Sequence, residues 1–326
     1  MKTRIDPPTL EEIEAAAQLL EGVLLPTPLL PFGDPHARPD SESGIWLKPE
    51  VNQRVGSFKI RGVYHAVARM SAEERARGIS TVSAGNTAQA LAWCGRHFGV
   101  EARSLMPEGA PRTKIEAVRA LGGTPVLVPV EEVFRFLKEH GWESEPHAFV
   151  HPWTERQVMI GHGTLGLEIT DELPALATVY VPVGGGGLLG GLGAALRARR
   201  PDVRIVAVEP EGCPSLHAAR AAGHPVDVAC DTICDGVAVP YVCEEMFPYL
   251  DELVDEVVLV SEARVKHAVR ELATRARIVS EGSGALALAA AQDERAAGRW
   301  SGPAVALVTG GSIDLPKLIA ILGADS

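Results

Sequence analysis

The sequence predicts an α/β protein of two domains with mainly parallel sheets covered by helices. Short runs rich in β-branched residues alternate with helical patterns almost throughout, and alternation of that kind lays helices over parallel strands. The chain has 326 residues, 46% of them hydrophobic, enough to bury a sizeable core in one large or two modest domains.

The expected strands are Ile45–Lys48, Ile79–Val82, Ala102–Leu105, Pro125–Val128, Thr178–Val183, Arg204–Val208, Glu256–Val260 and Ala304–Val308. Between them, Leu10–Leu20, Phe58–Met70, Ala88–Phe98, Thr113–Leu121, Thr164–Glu172, Leu188–Arg199, Glu262–Arg275 and Gly284–Ala290 read as helices. Phe58, Val63, Val67 and Met70 recur at helical spacing and give their segment one apolar stripe. The Pro- and Gly-rich stretches Leu25–Pro39 and Pro107–Arg112 read as loops. His151-Pro152-Trp153 interrupts the pattern, which places a boundary near His151–Gly161. Residues 1–68 and 155–326 then form a large domain and residues 69–154 a small one, with the cleft between them as the ligand site.

The formal net charge is −11 with no basic run, a poor surface for nucleic acid or anionic lipid. The apolar stretches are too short to span a bilayer and the N-terminus has no apolar signal region, so a cytoplasmic protein is expected. The five cysteines are odd in number and show no disulfide-framework spacing, which reads as reduced thiols. No H-E-x-x-H or similar spacing points to zinc.

Among the lysines, only Lys59 lies in an apolar, small-residue context, Gly56-Ser57-Phe58-Lys59-Ile60-Arg61-Gly62. With Ser57 as N-cap, Lys59 falls in the first turn of a helix, where the helix dipole and burial both disfavour the ammonium form. A neutral amine is the nucleophile that carbonyl condensation needs. The same position also suits a lysine reaching out to solvent.

The Thr178–Val183 strand runs into Gly184-Gly185-Gly186-Gly187 and then a helix start, an arrangement that aims backbone N–H groups at a phosphate. Gly185, Gly187 and Gly190 also fit G-x-G-x-x-G, with Glu209 ending the next strand, so a nicotinamide-dependent dehydrogenase remains a competing reading. Ser83-Ala84-Gly85-Asn86-Thr87 joins a strand to a helix and suits a carboxylate, although ordinary capping explains it equally well. Thr309 ends the last strand before two glycines, where its hydroxyl can either face a ligand ring or simply end the strand.

In this order, S-F-K-I-R-G, S-A-G-N, G-G-G-G, V-E-P, D-G-V-A-V, E-G-S-G-A and T-G-G-S resemble the motifs of the serine/threonine dehydratase and serine racemase family, the fold-type II pyridoxal-phosphate enzymes. The similarity runs from about Leu25 to the C-terminus. It implies a tryptophan-synthase-beta-like fold with the cofactor in the large domain, a homodimer, and a small amino-acid substrate. It implies no regulatory extension of the biosynthetic threonine deaminase kind. Carried over position by position, Lys59 is the Schiff-base lysine and the base at Cα. Gly184, Gly185, Gly186 and Gly187 cradle the phosphate. Asn86 binds the phenolic oxygen, Thr309 the pyridine nitrogen, and Phe58 and Gly236 lie near the ring. Ser83, Ala84, Gly85 and Thr87 hold the substrate carboxylate.

The implied reaction dehydrates and deaminates a β-hydroxy amino acid of the L-threonine or L-serine kind to a 2-oxo acid and ammonia. β-Replacement shares the same carbanion chemistry and is the alternative within the family. Serine racemases of this family carry a serine where Ala84 stands, so elimination is expected to outrun racemisation. Thr87, Trp153, His162 and Ser312 depart from the dehydratase pattern and are expected around the cleft, where they bear on the substrate. The resemblance further implies a magnesium or potassium ion held by Glu209 and the Cys213 carbonyl, although Ser215 stands where a carboxylate would strengthen the site.

Overall fold

The computed structural model describes residues 4–33, 44–299 and 302–324. Helix α1 (Leu10–Leu20) opens on a capping box in which the Thr9 hydroxyl accepts from the Glu12 amide and the Glu12 carboxylate accepts from the Thr9 amide. Strands β1 (Leu30–Phe32) and β2 (Gly44–Pro49) follow, then α2 (Lys59–Arg69) and α3 (Ala72–Ala76). A run of β3 (Ile79–Val82), α4 (Asn86–Phe98), β4 (Ala102–Pro107), α5 (Arg112–Ala120), β5 (Thr124–Val128), α6 (Val130–Lys138) and β6 (Ala148–Phe149) comes next. The chain continues through α7 (Arg156–Glu172), β7 (Thr178–Pro182), α8 (Gly187–Arg199), β8 (Arg204–Pro210), α9 (Ser215–Ala222) and α10 (Phe247–Leu253). It ends with β9 (Glu256–Val260), α11 (Glu262–Glu271), α12 (Gly282–Ala296), β10 (Pro303–Val308) and α13 (Leu315–Gly323).

The strands form two sheets. One has the order β1-β2-β10-β7-β8-β9 and is parallel except for β1, which pairs antiparallel with β2. The other, β5-β4-β3-β6, is parallel throughout. Successive side chains of the larger sheet serve two cores. Val179, Val181, Ile205, Ala207, Val305 and Leu307 pack with helices α7, α8 and α10. Tyr180, Val206, Val208, Ala304, Ala306 and Val308 pack with α11 and α12. Strands buried on both faces need continuous apolar runs rather than alternation, which is how these strands read in the sequence.

Helix α2 packs between α4 and α7. Ile60, Val63 and Val67 share a core with Ile79 and Ala102 of the smaller sheet, with Leu91 of α4 and with Val158 of α7. Arg61 of α2 is fully buried and ion-paired to Glu50 at 2.7 Å and Glu168 at 2.6 Å. Helices α7 and α8 approach so closely that a Cβ on Gly191 would lie 2.0 Å from the Met159 carbonyl oxygen.

Several expectations are corrected. Ser57 does not cap α2. It forms a bridge with Gly310, its hydroxyl is buried with no hydrogen-bond partner among the described residues, and Phe58 occupies the cap position without a side-chain bond. The helix expected over Thr164–Glu172 begins well before Thr164. Helix α7 starts at Arg156 and runs through Gly161 and Gly163, glycines whose missing side chains make room for Arg61 and Ile13. The Leu25–Pro39 loop contains β1, whose three residues are too few for a periodic signal, while residues 34–39 lie outside the described residues. The α-helix expected over Glu262–Arg275 gives way to a π-turn at Leu272–Ala276. Nor are all cysteines reduced. Cys213 and Cys230 form a disulfide with Cα atoms 4.4 Å apart, closed across a 17-residue separation that local spacing does not reveal.

Candidate active site

The carboxyl ends of strands from both sheets converge on one cavity of about 620 Å³. Val82, Pro107, Pro182 and Thr309, each at or just beyond the end of a parallel strand, line it. That is where open parallel sheets place ligands, because loops rather than pleated backbone face outward there.

Lys59 is the first residue of α2 and faces this cavity, with its amine 4.8 Å from the centre of the Phe58 ring. Protein surrounds the amine while the cavity keeps it partly open. Burial pulls its pKa down to about 8 and nearby Glu281 opposes the fall. The low value expected from the sequence is present, with desolvation as the main cause.

The glycine loop also lines the cavity. Gly186 adopts a φ of 90° as the N-cap of α8, and no side chain caps the helix, so the first amides of α8 are left for a ligand. A Cβ on Gly185 would lie 2.2 Å from the Trp153 ring, and one on Gly184 would lie 2.9 Å from the Val237 Cα. The loop is therefore pressed flat against its support.

Across the cavity, Ser83, Ala84, Gly85, Asn86 and Thr87 join β3 to α4. The Gly85 amide donates to the Ser83 hydroxyl at 3.1 Å, and no side chain caps α4, so the capping alternative does not hold here. Asn86 donates from Nδ2 to Glu281 at 2.6 Å, while its Oδ1 is buried with no partner among the described residues. Thr309 is buried, and among the described residues its hydroxyl makes only a long 3.5 Å contact with the Ser283 carbonyl. The Gly236 amide donates to the Ser283 hydroxyl at 2.9 Å. Backbone bonding from the Phe58 amide to the Thr309 carbonyl, at 3.1 Å, ties the lysine segment to the last strand.

Lys114, on α5, is a site residue that sequence reasoning missed. It is buried against the cavity and donates to Asp235 at 2.7 Å and Glu281 at 2.8 Å. Burial works against its charge, but the two carboxylates outweigh that and hold the ammonium protonated. Its partners lie 121 and 167 residues away, so nothing local could have marked it. A Cβ on Gly85 would lie 2.2 Å from the Lys114 side chain, so the lysine stem supports the asparagine loop.

Of the four departures, Thr87 and Trp153 line the cavity. His162 and Ser312 do not. His162 is buried behind Phe58 at a ring distance of 4.7 Å, and burial, then the charge of Lys59, push its pKa well down. Ser312 lies 3.5 Å from the Gln89 amide. Glu209 does not line the cavity either. It accepts from the Leu216 and His217 amides at 2.7 and 2.9 Å and from the Ser215 hydroxyl, and so caps α9. Burial, opposed by those amides, raises its pKa to about 7. The dinucleotide reading thereby loses its ribose-binding acid. A cation at Glu209 would have to displace these bonds, and no group of three or more His, Cys, Asp or Glu able to hold a metal occurs among the described residues.

The donor set fits pyridoxal phosphate: uncapped amides beside four glycines, an orphaned Asn86 oxygen, a weakly engaged Thr309 hydroxyl and a lysine of lowered pKa share one cavity. No helix among the described residues is long and apolar enough to cross a membrane.

Residues 20–310 match the profile of the family described as pyridoxal-phosphate dependent enzyme. The L-threonine ammonia-lyase of Thermotoga maritima is 37% identical over 322 residues, covering 96% of this chain and 78% of that protein. The catabolic L-threonine dehydratase TdcB of Staphylococcus aureus is 36% identical over 290 residues, covering 86% and 83%. Among solved structures, maize serine racemase superposes with a TM-score of 0.87 at 28% identity, covering 96% of each chain. The processed form of threonine deaminase isoform 2 from Solanum lycopersicum superposes with a TM-score of 0.85 at 32% identity, covering 98% of this chain and 97% of that one. The chain belongs to the pyridoxal-phosphate dependent enzymes, in their serine/threonine dehydratase and serine racemase family.

Proposed function

We infer that the protein is a pyridoxal-phosphate-dependent ammonia-lyase that converts a β-hydroxy amino acid to a 2-oxo acid and ammonia. The observation that carries this is Lys59, whose amine, with a pKa near 8, shares a cavity with the glycine loop. At pH 7 roughly one such amine in ten is neutral, against roughly one in three thousand for an ordinary lysine.

The amides of Gly184–Gly187 would hold the cofactor phosphate at the positive end of α8. Asn86 would hold the phenolic oxygen and Thr309 the pyridine nitrogen, with Phe58 and Gly236 beside the ring. When bound, the cofactor supplies the electron sink for carbanion chemistry at Cα. Ser83 and the backbone from Ala84 to Thr87 would orient the substrate carboxylate. Lys59 Nζ is the group that takes the Cα proton. Thr309, as a neutral hydroxyl, does not enforce protonation of the ring nitrogen, which favours prompt loss of the β-hydroxyl over long-lived delocalised charge. Lys114, through Glu281, holds Asn86 in place.

The two sheets support a division into a large unit, residues 1–68 and 155–326, and a small one, residues 69–154. The family resemblance supports a cytoplasmic homodimer.

The test is to record the visible spectrum of the purified protein before and after borohydride, map the adduct, and assay ammonia, 2-oxo acid and D-serine from L-serine. The expected result is a bleachable band, an adduct on Lys59, and pyruvate formed far faster than D-serine, because the Ala84 methyl cannot carry a proton. A protein that gains no band from added pyridoxal phosphate refutes the cofactor site. D-serine formed as fast as pyruvate refutes the elimination reading, and a requirement for a second nucleophile would favour β-replacement.

A further inference from the structure

Resting on the ammonia-lyase reading, we propose that the substrate carries an apolar β-substituent larger than the methyl of threonine, of the aryl or branched-alkyl class. Helix α6 turns Val133, Phe134 and Leu137 into the cavity, and Val82, Trp153 and Val239 continue the same wall. Val82, Val133, Leu137 and Trp153 are buried, and Phe134 and Val239 are half-buried.

Phe, Trp and Tyr make up only 5% of the chain. Yet behind this wall Phe136 packs on Phe149 at 5.7 Å, Phe149 on Trp142 at 5.6 Å, and His151 edge-on to Trp153 at 5.1 Å. Phe134 is braced by Tyr241 at 6.4 Å. The wall is therefore backed by rings and poorly able to collapse onto a small ligand. Serine has no β-substituent to bury against it, and threonine has a single methyl.

Charge excludes the other larger class. Among the described residues, the only Lys or Arg side chains lining the cavity are Lys59 and Lys114, and Lys114 is already paired with Asp235 and Glu281. Exposed Glu108 and Glu131 stand at the rim. A β-carboxylate would find no free cation and would meet like charge.

The test compares ammonia release from L-serine, L-threonine, threo-3-phenylserine, 3-hydroxyleucine and 3-hydroxyaspartate by the cofactor-loaded enzyme. One methylene in an apolar pocket is worth roughly 10- to 200-fold in kcat/KM. We expect kcat/KM for 3-phenylserine or 3-hydroxyleucine to exceed that for threonine at least about tenfold, and 3-hydroxyaspartate to be the poorest of the five. Phe134→Ala should lower the phenylserine-to-serine ratio of kcat/KM by about tenfold, a comparison that a partly unfolded variant leaves unchanged. Threonine turned over best, with the larger apolar substrates inert, overturns this proposal and leaves the ammonia-lyase reading intact. No ammonia from any of the five, with the adduct still on Lys59, refutes the ammonia-lyase reading and the proposal with it.

Discussion

Gly185→Ala is the sharpest perturbation of the proposed phosphate cradle, because the added atom is one methyl and its surroundings are fixed. The new Cβ would lie 2.2, 2.4 and 2.7 Å from three atoms of the Trp153 ring, where ordinary contact begins at 3.4 Å. Trp153 has little room to retreat. Its Nε1 donates to the Cys243 Sγ at 3.2 Å, the His151 ring abuts it, and its own backbone sits against Gly187. The strain must then go into the loop whose amides are proposed to hold the phosphate. Overpacking of this kind costs about 1–3 kcal/mol. Expressed on cofactor affinity, that is a roughly 5- to 150-fold weaker Kd. The assay is titration of the apoenzyme with pyridoxal phosphate, followed by absorbance. Trp153→Leu removes the obstructing ring, so the double variant should recover a substantial part of the lost affinity. If Gly185→Ala binds within about twofold of the parent, or the double variant is no better than the single one, the loop is not held by the indole and the steric argument fails.

Lys59 predicts a pH profile. Its pKa is lowered to about 8, so the ammonium dominates below that pH and the amine above it. The rate of loading apoenzyme with cofactor should rise with pH to about 8 and then level off. A rate still climbing toward the 10.5 of an ordinary lysine would refute the burial argument. Arg61→Met strands Glu50, whose side chain is fully buried, and loss of one partner of such a pair costs about 3–5 kcal/mol. Urea denaturation should show that loss, and Glu50→Gln in the same chain should restore part of it. An unchanged midpoint would mean that the ion pair contributes nothing.

The S-F-K-I-R-G segment shows where sequence reading succeeds and where it stops. Lys59 could be singled out because an apolar, small-residue context around a lysine is local and unusual. That Arg61, two residues on, serves a buried ion pair rather than the ligand depends on Glu50 and Glu168, which only folding brings to it. Ser57 looked like a cap from its residue type, but pairing with Gly310 took its backbone elsewhere. Glu209 looked like a ribose ligand from its place at a strand end and like a cation ligand from the family resemblance, and the tight turn into α9 gave it helix amides instead.

The sequence by itself determined the alternation of strands and helices and singled out Lys59, the glycine run and the asparagine loop as candidates, because hydrophobic period, helix starts and glycine runs are written within a few residues of one another; the roles proposed for them came from the ordered motifs of the family resemblance. Only the tertiary structure decided that Lys114, Asp235 and Glu281 meet, that Cys213 reaches Cys230, and that α6 and Trp153 wall the cavity with apolar side chains. The side-chain pairs among them join residues 17 to 167 positions apart. Their geometry is set by how the two sheets and their covering helices pack together, and no local pattern of residues encodes that packing.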